Sequence, residues 1–135
     1  MPKRIGHVAI AVNNLEETAR FYKDVLGLKF SGIETITGQK TRAVFFKIGE
    51  ASLELVQPTE PDSPLTNFLE SRGPGIHHIC FEVEDVEGEA KAILEKGAAL
   101  VDAKPRPGAH DTKVVFIHPK CTGGVLIELC ERPKK

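Results

Sequence analysis

Two histidines and two glutamates stand where a strand pattern makes them costly. His7 lies in Ile5-Gly6-His7-Val8-Ala9-Ile10-Ala11-Val12, and His78 lies in Ile76-His77-His78-Ile79-Cys80-Phe81-Glu82-Val83. Strand alternation sends Val8, Ile10 and Val12 one way and His7, Ala9 and Ala11 the other. Ile79, Phe81 and Val83 oppose His78 and Cys80 in the same manner. Glu54 alternates with Leu53 and Leu55, and Glu128 with Ile127 and Leu129. A carboxylate at the centre of a strand is unfavourable unless something pairs with it. Imidazole and carboxylate together suit one divalent ion of Mn, Fe, Co, Ni or Zn, whereas Ca or Mg would prefer oxygen alone. Taken singly, each histidine reads as a satisfied core residue rather than a ligand, and each glutamate as the partner of a Lys or Arg. Symmetry favours the ligand set: the histidines are related by an offset of 71 and the glutamates by 74. His77 has the wrong strand phase to join them. His110 and His118 fall in loops, with a structural or substrate-contact role.

The same offset organises the elements that must position these side chains. Each histidine strand is followed by a turn, Asn13-Asn14 or Glu84-Asp85, and then by apolar residues at helical spacing. Leu15, Ala19, Tyr22 and Leu26 predict one helix, closed by Gly27; Val86, Ala90, Ile93 and Leu94 predict the other, closed by Gly97. The period then returns to 2. Ala43–Ile48, a Gly49-Glu50 turn and Ser52–Val56 follow in the first half; Lys113–Ile117, a Gly123-Gly124 loop and Val125–Leu129 follow in the second. A connector with Pro58, Pro61, Pro64 and a short helical piece, Leu65 to Ser71, joins the halves. The economical reading is α+β, a single domain over 1–135 made of two βαβββ repeats, approximately 3–58 and 74–131. Their sheets would curl around a shared cleft, with one helix outside each module. An ordinary α+β sandwich with a chance repeat is the alternative.

Composition narrows the function classes. Hydrophobic residues at 41% and charged residues at 27% are globular values. Eighteen Lys+Arg against nineteen Asp+Glu, interspersed, give a net charge of -1 and no nucleic-acid footprint. The longest apolar run, Val8 to Val12, is far short of the ~20 residues of a membrane span. Met1-Pro2-Lys3-Arg4 leads directly into a strand with no apolar signal segment, so a cytoplasmic address is expected. Cys80, Cys121 and Cys130 lack CxxC spacing and read as reduced and mostly packed.

With these residues in view, the chain resembles the vicinal oxygen chelate, or glyoxalase-like, superfamily over essentially its whole length. Gly75-Ile76-His77-His78-Ile79-Cys80-Phe81-Glu82-Val83, the run His118-Pro119-Lys120-Cys121-Thr122-Gly123-Gly124-Val125-Leu126-Ile127-Glu128-Leu129 and Pro107-Gly108-Ala109-His110 resemble more narrowly the methylmalonyl-CoA epimerase family. That resemblance implies a curved mixed sheet around a metal cleft, with His7, Glu54, His78 and Glu128 as metal ligands. It also implies a CoA thioester substrate and a homodimer. Some epimerases carry a second acid/base glutamate on the strand before Glu54, where this chain has Arg42, Ala43 and Val44. The second proton carrier is therefore open.

Epimerising (R)- and (S)-methylmalonyl-CoA means removing the C2 proton and returning one to the opposite face. A free carboxylate of pKa ~4 is too weak a base to do this unaided, so stabilisation of the enolate is required. Glu128 is the expected acid/base group, with Glu54, another side chain or a water opposite it. Lys104, Arg106, Lys113 and Lys120 are candidates for the CoA phosphates, and a solvated basic loop explains any one of them as well. Rival readings are a glyoxalase I-type lactoylglutathione lyase, an extradiol dioxygenase, which wants two histidines and a single carboxylate, and a metal-free drug-sequestering resistance protein. The four potential ligands disfavour the last two.

Overall fold

The computed structural model describes residues 1–102 and 104–133. They form two compact units, one of His7–His77 and one of Met1–Gly6 with the described residues from His78 onward. In the first unit, β1 (Arg4–Ala11), of which His7–Ala11 belong here, leads through a helix to β2 (Lys29–Ile36), β3 (Thr41–Ile48) and β4 (Ala51–Pro58), in the spatial order β2-β3-β4-β1. Strand β3 is antiparallel to both neighbours and β4 runs parallel to β1. Asn14 caps α1 (Leu15–Arg20) by accepting from the Glu17 amide at 3.0 Å, and the Leu15 amide donates to the Gln57 side chain of β4 at 3.0 Å. The helix thus enters already fixed to the sheet. Its apolar side meets the outer sheet face: Val12, Leu15, Val44, Phe46 and Leu55 are buried, with Ile10, Ala19, Tyr22, Leu28 and Leu53 against them. Fully burying a side chain such as Leu15 or Phe46 contributes about 1.5–3 kcal/mol.

Two departures from the sequence pattern occur here. The helix expected to run regularly to Leu26 is α-helical only to Arg20, and Phe21–Val25 forms a π turn in which the Leu26 amide donates to Phe21 O at 3.2 Å. The extra residue in that turn rotates Leu26 out of phase, leaving it 54% exposed, before Gly27 at φ +69 closes the element. Strand β2 shows no clean alternation because it is bulged: Phe30 faces Phe46, but Gly32 faces Phe45, so Ser31 is inserted. The connector holds α2 (Pro64–Arg72), capped by buried Ser63 and stopped at Gly73, φ +75.

The second unit repeats the plan. Strand β5 (Gly75–Glu82), of which His78–Glu82 belong here, leads through α3 (Val86–Glu95) to β6 (Arg106–Pro107), β7 (Lys113–Ile117) and β8 (Leu126–Glu131), in the order β5-β8-β7-β6. Strand β5 is parallel to β8, and β7 is antiparallel to both β8 and β6. Asp85 caps α3, and the Val86 amide donates to the Glu131 side chain of β8 at 3.0 Å, which is the counterpart of Leu15 on Gln57. Val83, Val86, Ala90, Val115, Ile127 and Leu129 make the buried layer under α3. Strand β6 is only two residues because its Pro107 cannot extend a ladder. Residues Met1–Gly6 attach at the far end of β5, where the Lys3 amide donates to Glu82 O at 2.8 Å. There Glu82, 5% exposed, lies 3.6 Å from Arg4 and 2.6 Å from Arg132. The fold is therefore α+β, with βαβββ written twice. All three cysteines are free; Cys80 and Cys130 are buried and Cys121 is exposed. Among the described residues no helix is long and apolar enough to cross a membrane.

Candidate active site

Each unit carries one histidine and one glutamate in the same diagonal relation across a parallel strand pair. On β1 and β4, Ala9 faces Glu54 and His7 faces Ser52, so His7 stands two residues before the glutamate's partner. On β5 and β8, Cys80 faces Glu128 and His78 faces Leu126, the same diagonal. The side chains meet on the face away from the helix. His7 Nε2 lies 3.2 Å from Glu54 Oε2, and His78 Nε2 lies 3.4 Å from Glu128 Oε1. Both carboxylates are 4% exposed.

These pairs fit a divalent ion. Two donors about 2.1 Å from one ion are separated by about 3.0 Å at a right angle and about 3.4 Å at a tetrahedral angle. The observed separations fall in that interval in both units. The donor set of imidazole nitrogen and carboxylate oxygen is the chemistry of Mn, Fe, Co, Ni or Zn.

Two further features frame the pairs. Phe45 is the β3 partner of Glu54, and Phe116 is the β7 partner of Glu128. The Phe116 ring meets His78 edge-on, with centroids 5.6 Å apart and planes at 90°. These aromatic residues stand 71 apart, and the sequence pattern shows them only as core. Cys80 packs beside Glu128 with no exposure. A hydrogen bond with Cys130, burial and the neighbouring Glu128 carboxylate all push its thiol pKa up, so it stays protonated and can donate to an acceptor. Its strand phase, shared with His78, is the signal that could have marked it.

The other residues singled out in the sequence are more scattered. Lys113 alternates with Val114 and Phe116, which sets it on the α3 side, with Nζ 3.3 Å from Glu87. Arg106 faces Val114 across β6 and β7 and is ion-paired with Asp102. Lys104 and Lys120 are exposed. His77 stacks edge-on against Phe68 at 4.9 Å. His118 Nδ1 accepts from the Lys120 amide at 3.1 Å and so caps the turn Pro119–Cys121. His110 sits in a left-handed conformation, φ 56, in the turn Ala109–Asp111.

Residues 6–116 match the model of the glyoxalase/bleomycin resistance protein/dioxygenase superfamily. The ethylmalonyl-CoA/methylmalonyl-CoA epimerase of Cereibacter sphaeroides is 38% identical over 128 residues, covering 93% of this chain and 96% of that one. The mitochondrial methylmalonyl-CoA epimerase of Mus musculus is 38% identical over 127 residues, covering 93% and 71%. A solved methylmalonyl-CoA epimerase in complex with methylmalonyl-CoA and NH4+ superposes with a TM-score of 0.94 at 34% identity, over 98% of this chain and 96% of the other. The doubled βαβββ fold is thus that of a glyoxalase-superfamily protein. Within that superfamily, the chain belongs to the methylmalonyl-CoA epimerase family of enzymes.

Proposed function

We propose that this protein interconverts (R)- and (S)-methylmalonyl-CoA, using one divalent ion held by His7, Glu54, His78 and Glu128. The observation that carries the reading is the pair of equivalent diagonals, 3.2 Å and 3.4 Å, each ending in a buried carboxylate. In this reading the chain acts as one domain of two repeats, 3–58 and 74–131, each contributing one histidine and one glutamate. The ion would be Co, Mn, Ni, Fe or Zn; when bound it supplies Lewis acidity that stabilises an enolate.

The remaining chemistry falls to the chain's own residues. Glu128 takes the C2 proton from one epimer, the C–H electron pair moves toward the thioester oxygen, and a proton is returned to the opposite face. Protonated Cys80 donates toward the Glu128 carboxylate and holds it in one orientation. Phe45 and Phe116 exclude water from the carboxylates, which strengthens each charge interaction there. Lys104, Arg106 and Lys120 are the cations proposed to hold the CoA phosphates. Lys113 is on the helix side of β7, beside Glu87, and is not one of them. The reading includes a cytoplasmic homodimer without nucleic-acid or membrane partners.

The test is elemental analysis of the purified protein alongside stereospecific turnover. One ion per chain, loss of turnover with a chelator and its return on adding metal are the expected results. Full turnover by protein stripped of metal contradicts the proposal.

A further inference from the structure

The proposed epimerisation needs two proton carriers, of which the function proposed above assigns Glu128. We infer that Glu34, on the edge strand β2, is the second acid/base group; the inference rests on the function proposed above.

Register places it. Glu34 faces Ala43, Gly32 faces Phe45, and Phe45 in turn faces Glu54. Paired residues point to one side of a sheet, so Glu34 shares the face that carries His7, Glu54 and Phe45. From strand spacing and rise, the Cα atoms of Glu34 and Glu54 are roughly 12 Å apart, two strands over and two residues along. Ala43 stands in the path between them, and its methyl group is small enough to let the Glu34 side chain lie across it.

The bulge is what creates this placement. Phe30 belongs to the helix side, where its ring lies 6.2 Å from Phe46, and strict alternation from Phe30 would put Glu34 there too. Inserting Ser31, with Gly32 at φ +149 and the Ser31 hydroxyl bonded to Phe45 O at 3.1 Å, reverses the phase. At Ile33 and Glu34 burial runs against polarity: Glu34 is partly buried, whereas Ile33 on the helix side is 55% exposed; Ile36, on the same face as Glu34, is buried. At these two positions core packing does not explain which side chain is sheltered. Bulges that re-aim a side chain are frequent beside active sites.

In the step proposed, the Glu34 carboxylate takes the C2 proton of one epimer while the C–H pair moves into the enolate. Protonated Glu128 delivers its proton to the opposite face. In the reverse direction the two exchange roles, so no other reactant is required.

The measurement is made on the metal-loaded protein in D2O, following each methylmalonyl-CoA epimer separately for C2 deuteration and for conversion to the other. Glu34→Gln should bind metal at the wild-type stoichiometry and lose interconversion by about 10²–10⁴-fold. One epimer should still exchange its C2 hydrogen without inversion, through Glu128. Glu34→Asp, which keeps the acid but shortens its reach, should recover part of the interconversion. Wild-type interconversion by Glu34→Gln overturns the assignment. So does a parallel loss of exchange and interconversion for both epimers, which marks a structural role, or a Glu34→Asp variant no better than Gln. If the wild-type protein neither exchanges nor interconverts, the proposed function itself fails, and the two failures are thereby distinguished.

Discussion

Glu54 and Glu128 occupy equivalent diagonals, yet the proposed chemistry gives them unequal work. Glu128 has the neutral Cys80 thiol beside it and Phe116 across from it; Glu54 has Ala9 where Cys80 stands in the other unit. Glu128→Gln keeps an oxygen ligand and removes the base, so turnover should fall by at least about 10²-fold while most of the bound metal remains. Elemental analysis beside the rate separates the two effects. Glu54→Gln should retain both metal and appreciable activity; a loss as deep as that of Glu128→Gln would make Glu54 the second base and displace Glu34. At this scale the sequence is informative where type and phase combine, as in the offsets of 71 and 74. It is silent on Glu34, because the Ser31 bulge breaks the alternation from which its face would be read. It is nearly silent on Phe45 and Phe116, because an aromatic residue on a strand looks like core on either face.

The elements were legible in proportion to how regular they are. Asn14 and Asp85 announce the helix starts, and Gly27 and Gly97 their ends, because caps and left-handed positions restrict residue choice strongly. The apolar strands β3, β4, β7 and β8 read directly. Strand β2 hides behind its bulge and β6 behind its two-residue length; the π turn at Phe21–Val25 gives no sequence sign because the apolar spacing up to Leu26 still suits a helix. Gly6 also has an element-level role that its neighbours alone do not reveal. A Cβ there would sit 3.1 Å from Glu82 Cγ and 3.4 Å from Cys80 Sγ, against a carboxylate held by Arg4 and Arg132. Gly6→Val should therefore destabilise the protein by about 1–3 kcal/mol through overpacking, seen as a lower thermal midpoint. An unchanged midpoint would show that the Met1–Gly6 segment can move away from Glu82 and Cys80 at no cost. Asp85→Ala, which removes the acceptor for the Gly88 amide, should cost about 1 kcal/mol by the same measurement.

For the whole molecule, the proposed substrate has a reacting end and a long phosphate-bearing end, and the two should separate kinetically. Alanine at Lys104, Arg106 or Lys120 should raise KM for the CoA thioester with little change in kcat, since remote phosphate contacts are uniform between ground and transition states. Lys113→Ala should leave both constants near wild type, because its side chain is on the α3 side with Glu87. Wild-type KM in all the loop variants would place the CoA elsewhere.

The central claim, metal-dependent proton transfer at C2 between two carriers, is tested most directly by one measurement. A single methylmalonyl-CoA epimer is incubated with the protein in D2O, with and without chelator, and the products are read by NMR. The expected result is the opposite epimer carrying deuterium at C2 in the metal-loaded sample, and no conversion in the chelated one. Conversion that keeps the original hydrogen at C2, or that proceeds equally without metal, would contradict it.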